Sequence, residues 1–418
     1  MNLLLKPSII NQQSTIQISG SKSETNRLLL LQALYPNITL ENTSNSDDSQ
    51  VMTSALHSYL SFRPSGEINV HHAGTTMRFL TAFFAIQEGR EIILTGSARM
   101  KERPIKILVD ALRQLGADIA YEGIEGFPPL KIKGKKLAKN KVSLPANVSS
   151  QYISALLLIA PKLENGLELV LEGEITSIPY IKMTLELLNE IGITTSFLGN
   201  KITVLPQLSI INCQLSIESD WSSASYYYSI IALSDIGTKI TLSSYRQNSL
   251  QGDSVLAAIY ATFGVETTFI DNTILINKTN HCQLSIINYQ LNNSPDIAQT
   301  IAVTCFGLGI GCHLNGLHTL KIKETDRLEA LKTELTKLGA IISVTNDSLT
   351  LTPSSPLLWR GAGGKVSIAT YQDHRMAMAF APLALKTSLL IEDAEVVSKS
   401  YPTFWEDLKS IGFQISEA

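Results

Sequence analysis

Pro104-Ile105-Lys106-Ile107-Leu108-Val109-Asp110-Ala111-Leu112-Arg113-Gln114-Leu115-Gly116-Ala117-Asp118-Ile119 carries a helix, a closing glycine and a strand in one run. Ile105, Leu108, Leu112 and Leu115 recur at helical spacing, which gives one apolar stripe to bury. Pro104 suits the opening of the helix, where a backbone N–H would have no partner anyway, and Gly116 suits its close. Ala117-Asp118-Ile119 then reads as a short strand.

The same design recurs along the chain. Helix starts fall near Pro104, Pro179, Asp253, Asp326 and Pro402, and closing glycines at Gly116, Gly192, Gly264, Gly339 and Gly412. The glycine intervals are 76, 72, 75 and 73 residues, and a strand-like run follows each one. A second set of helix starts, Thr75, Ser149, Ser222, Asp296 and His374, has intervals of 74, 73, 74 and 78. Ser, Thr and Asp suit N-caps, because their oxygens accept unpaired backbone N–H groups. Each unit therefore holds two helices with strands between them. A first, shorter unit has helices near Ser23 and Asp48 and lacks the helix–Gly–strand ending. That predicts an α/β chain of six units, three per domain, with the break near Ser216 to Trp221. Pro353 to Gly364, rich in Pro, Ser and Gly, reads as a surface loop.

The 418 residues exceed one ordinary core and predict two or three domains. At 44% hydrophobic and 17% charged the composition is globular, and a net charge of −3 offers nucleic acid no global basic field. Apolar runs such as Ile153 to Ala160 are core-sized rather than membrane-spanning, and Met1 to Ile10 is too short for a signal peptide. Cys213, Cys282, Cys305 and Cys312 form no C-x-x-C pair, which predicts free thiols in a reducing cytoplasm. His71-His72, read as strand neighbours, would point opposite ways and make a poor metal site.

The helix starts carry anion-binding chemistry. A helix N-terminus has unpaired N–H groups and a partial positive charge, so phosphate and carboxylate are attracted there. Ser21-Lys22-Ser23-Glu24-Thr25-Asn26-Arg27, Ala73-Gly74-Thr75-Thr76-Met77-Arg78, Arg99-Met100-Lys101-Glu102-Arg103-Pro104, Val148-Ser149-Ser150-Gln151, Lys323-Glu324-Thr325-Asp326-Arg327 and Gln372-Asp373-His374-Arg375 all sit at such starts. Singly, each is as well explained by capping or a solvated charge run. Asp326 and Glu329 have capping-box spacing, yet capping leaves Lys323, Glu324 and Arg327 unexplained. Together they predict one site for highly anionic small molecules.

With these segments in hand, from Lys22 to Lys399 and in this order, the chain resembles the 5-enolpyruvylshikimate-3-phosphate synthases (3-phosphoshikimate 1-carboxyvinyltransferases) of the enolpyruvyl transferase family. The resemblance implies an α/β (α+β) fold of two domains with three βαβαββ units each. Residues 21–217 would form the first domain. Residues 218–418 would form the second, joined by 1–20, with the active site in the cleft between domains. It implies transfer of the enolpyruvyl group of phosphoenolpyruvate to the 5-hydroxyl of shikimate 3-phosphate, in the shikimate pathway to chorismate and the aromatic amino acids. It implies a cytoplasmic, monomeric enzyme of small-molecule substrates, with no metal or other cofactor and no nucleic-acid or membrane partner.

Carried over by motif, Asp296 resembles the base for the hydroxyl, and Glu324 and Lys22 the groups that move protons at the enolpyruvyl carbon and leaving phosphate. The phosphoenolpyruvate side would be Lys22, Gly74, Arg103, Gln151, Arg327, Arg375 and Lys399. The shikimate 3-phosphate side would be Lys22, Ser23, Arg27, Ser149, Ser150, Gln151, Ser177, Tyr180, Asp296 and Lys323. His72 and Thr319 depart from the family, which often has Asn at both positions. Gly74 keeps the small residue associated with sensitivity to glyphosate, which occupies the phosphoenolpyruvate site. The sister enzymes acting on UDP-N-acetylglucosamine usually carry a Cys in the loop before the second-unit helix, and no Cys precedes Cys213 here. A non-catalytic homologue would be expected to lose Lys22, Asp296 or Glu324.

Overall fold

Gly116, Gly192, Gly264, Gly339 and Gly412 all take positive φ, from 77° at Gly264 to 112° at Gly412, in the turns that follow the repeated helices. A β-carbon in that conformation would be strained, which is why glycine marks the repeat. The predicted strands follow, at Asp118–Tyr121, Thr195–Leu198, Val265–Ile270, Ile342–Val344 and Gln414–Glu417.

The computed structural model describes residues 1–60, 65–147, 149–173, 175, 178–210, 212–353 and 366–418. The loop expected at Pro353 to Gly364 lies outside these residues beyond Pro353. The chain forms two compact units, Ser21–Ile217 and Met1–Gly20 with Glu218–Ala418.

In Ser21–Ile217 the helices are α1 (Lys22–Leu34), α2 (Asp47–Leu60), α3 (Gly74–Ala85), α4 (Lys106–Leu115), α5 (Ser150–Ile159) and α6 (Ile178–Glu190). Strand Ser65–Asn69 runs parallel to Glu91–Thr95, with α3 as the crossover. Glu91–Thr95 is antiparallel to Leu130–Lys133, which pairs in turn with Asp118–Tyr121. Lys141–Pro145, Leu167–Glu172, Lys201–Val204 and Thr195–Leu198 repeat this order around α5 and α6. In the trimmed first unit Ile38–Glu41 pairs in parallel with Cys213–Ser216, a strand that returns from beyond the third unit.

In the other unit the helices are α7 (Trp221–Leu233), α8 (Leu256–Ala261), α9 (Ala298–Leu308), α10 (Arg327–Lys337), α11 (His374–Phe380) and α12 (Phe404–Ser410). Its N-terminal segment supplies two strands. Leu3–Lys6 lies between Leu389–Ile391 and Gln414–Glu417, antiparallel to both, and Gln13–Ile16 runs parallel to Lys239–Ser243. With these additions, every described four-stranded sheet of the chain has the same strand order.

The two helix sets differ in burial. Helices of the Thr75–Ser149–Ser222–Asp296–His374 set are apolar around most of their circumference: Phe79, Leu80, Phe83 and Phe84 on α3 are all buried, as are Tyr226, Tyr227 and Tyr228 on α7. Helices of the other set, such as α4, bury one stripe, here Leu108, Val109, Ala111, Leu112 and Leu115.

Several expected caps differ. Asp220 rather than Ser222 caps α7, through Ser223 N–H at 3.1 Å, and α3 begins at Gly74 without a side-chain cap. Asp296 lies in a 3₁₀ turn, Pro295–Ile297, that leads into α9. Its carboxylate faces cations instead of backbone. Ser149 caps α5 weakly (3.4 Å to Gln151 N), and Asp326 caps α10 through Leu328 and Glu329 N–H, both at 3.2 Å. His71 and His72 occupy a turn, His71 with φ of 49°, so the strand geometry assumed for them does not hold.

Candidate active site

Arg327 is the first residue of α10, and its side chain is 2% exposed. A buried guanidinium needs acceptors for its N–H fork. Three carboxylates supply them. Arg327 Nε donates to Asp373 Oδ2 at 2.6 Å, Nη1 to Asp296 Oδ1 at 2.9 Å and Nη2 to Glu324 Oε2 at 2.8 Å. Burial disfavours the charged guanidinium, but Asp373, Glu324 and Asp296 outweigh it and hold its pKa above the usual arginine value.

Asp296 is the junction of this cluster. Besides Arg327 it faces Lys323 Nζ at 3.3 Å and Arg375 Nη2 at 3.4 Å. Burial alone would raise its carboxyl pKa. Lys323, Arg375 and Arg327 outweigh burial and hold it well below the usual carboxylate range. Arg375 Nη1 also donates to the Asp296 carbonyl at 3.2 Å. Asp373, fully buried, caps α11 through the Arg375 backbone N–H at 2.8 Å while accepting from the Arg327 guanidinium, so one carboxylate ties the start of α11 to Arg327. The turn before it is strained: Tyr371 and Gln372 both have positive φ, 54° and 58°. Lys399 Nζ ties that turn by donating to the Gln372 carbonyl at 2.7 Å. Thr319 Oγ1 is out of solvent with no hydrogen-bond partner among the described residues.

The second set lies on Ser21–Ile217. Lys22, first residue of α1, is 3.4 Å from Asp48 Oδ2, and His72 Nε2 is 3.5 Å from Asp48 Oδ1. Gly74 begins α3, and Arg103, in the turn before α4, brings its guanidinium against it: a β-carbon at position 74 would lie 2.6 Å from Arg103 Nη1. Gln151 Nε2 donates to Thr75 Oγ1 at 3.0 Å, which joins the starts of α3 and α5. Ser150 is buried beside it, one residue after the capping Ser149. Arg99 pairs with exposed Glu102 at 2.9 Å, so this part of the charge run is a solvated face.

Arg27 is 2% exposed and is held by three acceptors. Nε donates to Thr184 Oγ1 at 2.8 Å, Nη1 to the Ser23 carbonyl at 2.7 Å and Nη2 to Ser154 Oγ at 3.0 Å. Burial pulls its pKa down to about 10, against the opposing pull of Tyr180 and Glu24. Tyr180 lies in the first turn of α6, and its carbonyl accepts from Thr184 at 2.8 Å. Ser177 lies outside the described residues. Sequence reading overlooked Asp48 and Asp373. Both stand at helix starts already singled out, but their partners are distant in sequence.

These groups carry both charges needed to bind anions and move protons, and comparison with known proteins says which chemistry they serve. A family model described as EPSP synthase (3-phosphoshikimate 1-carboxyvinyltransferase) matches residues 58–408. The 3-phosphoshikimate 1-carboxyvinyltransferase of Bacteroides fragilis is 45% identical over 419 residues, covering 99% of this chain and 98% of that protein. The enzyme of the same name from Haemophilus influenzae is 36% identical over 432 residues, covering 96% of each. In fold, the solved EPSP synthase of Acinetobacter baumannii superposes with a TM-score of 0.79 at 20% identity and full coverage of both chains. The repeated α/β fold with charged helix starts is thus that of a transferase. The chain belongs to the EPSP synthase (3-phosphoshikimate 1-carboxyvinyltransferase) family. Among the described residues no helix is long and apolar enough to cross a membrane, and all four cysteines are free.

Proposed function

We propose that this chain transfers the enolpyruvyl group of phosphoenolpyruvate to the 5-hydroxyl of shikimate 3-phosphate, releasing inorganic phosphate. The observation that carries the reading is Asp296, an ionised carboxylate with Lys323, Arg327 and Arg375 around it. Three cations make Asp296 a weak base while no ligand is bound. Anionic substrates that pair with Lys323 and Arg375 would relax that pull and raise its basicity where the hydroxyl proton must be taken.

In this reading the 5-hydroxyl oxygen attacks C2 of phosphoenolpyruvate and loses its proton to Asp296. The C3 methylene gains a proton from Lys22 or Glu324, which gives a tetrahedral intermediate. The C2–phosphate bond then breaks and C3 returns a proton, so no oxidant or reductant is needed. Lys22, Gly74, Arg103, Gln151, Arg327, Arg375 and Lys399 hold the donor, and Arg327 also keeps Asp296 and Glu324 in place. Ser23, Arg27, Ser149, Ser150, Tyr180 and Lys323 serve the acceptor. One chain supplies every group, so a monomer suffices, and free thiols suit a reducing cytoplasm.

The test is phosphate release by the purified chain with phosphoenolpyruvate and either shikimate 3-phosphate or UDP-N-acetylglucosamine. Release with the first acceptor alone is expected. Release only with the second, or none with either, overturns the reading.

A further inference from the structure

Asp253 is a buried carboxylate that the chemistry above does not use. It is 4% exposed and sits in the 3₁₀ turn Gly252–Val255, where it makes no cap bond. Its Oδ1 has no hydrogen-bond partner among the described residues. Its Oδ2 accepts from the Ser222 hydroxyl. An unsatisfied buried carboxylate costs stability, so a purely structural account of Asp253 is weak.

Ser222 connects it to the site. Ser222 Oγ also accepts from Arg375 Nη2 at 3.3 Å. A hydroxyl has one proton; once that proton is given to Asp253, a lone pair is left facing the arginine. Arg375 is then fixed on two sides, by Ser222 on one and by the Asp296 carbonyl and carboxylate on the other. Clamping an anion through paired N–H groups depends on such a fixed guanidinium plane. The charged groups that bear on Asp253 are Asp296, Arg375 and Asp220, and burial pushes its carboxyl up to about 7.

We propose that Asp253, acting through Ser222, is a positioning residue that holds Arg375 in the plane that receives the anionic end of the enolpyruvyl donor. This rests on the reading that Arg375 binds phosphoenolpyruvate. Asp253 touches neither substrate; its effect is on donor binding, transmitted by one hydroxyl.

The experiment measures kcat and KM for each substrate with the full chain and with Ser222→Ala, Ser222→Thr, Asp253→Ala and Asp253→Asn, alongside a thermal melt of each. Ser222→Ala and Asp253→Ala are expected to raise KM for phosphoenolpyruvate about tenfold, with KM for shikimate 3-phosphate changed less than about twofold. Ser222→Thr keeps the hydroxyl and Asp253→Asn keeps an acceptor, so both should stay within about threefold of wild type. Unchanged KM for phosphoenolpyruvate in both alanine variants overturns the inference. So does an equal rise in both KM values, or a Ser222→Thr variant as impaired as Ser222→Ala. A wild-type chain without turnover overturns the functional reading and this inference with it, whereas an active wild type with indifferent variants overturns this inference alone.

Discussion

Gly74 stands so close to Arg103 that a β-carbon at position 74 would lie 2.6 Å from Arg103 Nη1 and 2.9 Å from Arg78 Nη1. The obstructing atoms are the far ends of flexible side chains, so Gly74→Ala should fold and push the guanidinium of Arg103 aside. Expected is a rise of about tenfold in KM for phosphoenolpyruvate with a smaller change in kcat. Steady-state kinetics with the donor varied checks both, and an unchanged KM would mean that Arg103 does not meet the donor.

Asp296→Asn keeps the shape of the side chain and removes the charge that Lys323, Arg327 and Arg375 converge on. Turnover should fall by on the order of a hundredfold or more, as for loss of a general base. Stability should follow pH with a defined sign. The folded carboxyl is held below its unfolded value, so its contribution is present above about pH 4 and is lost only as pH falls through the depressed folded value. The Asn variant should therefore melt below wild type at about pH 7, with the gap narrowing in acid.

Arg27→Lys replaces a planar fork with a point charge. Lysine cannot reach Thr184, Ser154 and the Ser23 carbonyl at once, so part of a buried, charge-assisted set of bonds is lost. A loss of stability on the order of 2 kcal/mol is expected, together with a raised KM for shikimate 3-phosphate. Thermal melts and acceptor-varied kinetics separate the two effects.

Asp253→Asn should trade in the opposite direction. Burial raises the folded carboxyl to about 7, so the neutral form is the one folding favours. Its contribution is fully present below the unfolded value and is lost as pH rises through about 7. The Asn variant, which carries no charge to bury, should melt a few degrees above wild type at about pH 8, with the gap closing as pH falls toward about 4. A melt difference that does not change with pH would show that Asp253 is not titrating there.

What could be read from sequence was local. The helix–Gly–strand unit depends on a left-handed glycine and a periodic stripe, both contained in about fifteen residues, so all five later units were visible. The Cys213–Ser216 strand was not, because four residues carry no period and its partner Ile38–Glu41 is distant in the chain. Sequence does not separate cap candidates that stand close together: Asp220 and Ser222 have similar capping propensity, and the demand of Asp253 and Arg375 for the Ser222 hydroxyl decides between them. Charged site residues were legible as a set, but their partners were not. Nothing near Arg327 in sequence announces Asp373, and nothing near Lys22 announces Asp48.

The strand Leu3–Lys6 fills a slot between Leu389–Ile391 and Gln414–Glu417, and this sets the order in which the molecule can be completed. Residues 21–217 are all synthesised before residue 218, so that unit has its whole chain while the rest is still emerging. Leu3–Lys6 must instead wait for Gln414–Glu417, made much later. Until Gln414–Glu417 leaves the ribosome, Leu3 and Leu5 have no finished sheet in which to bury, and an open strand edge is a template for wrong pairing. Pairing of such long range is also slow to form. Truncating a few C-terminal residues should therefore harm the yield of folded protein far more than their modest burial suggests.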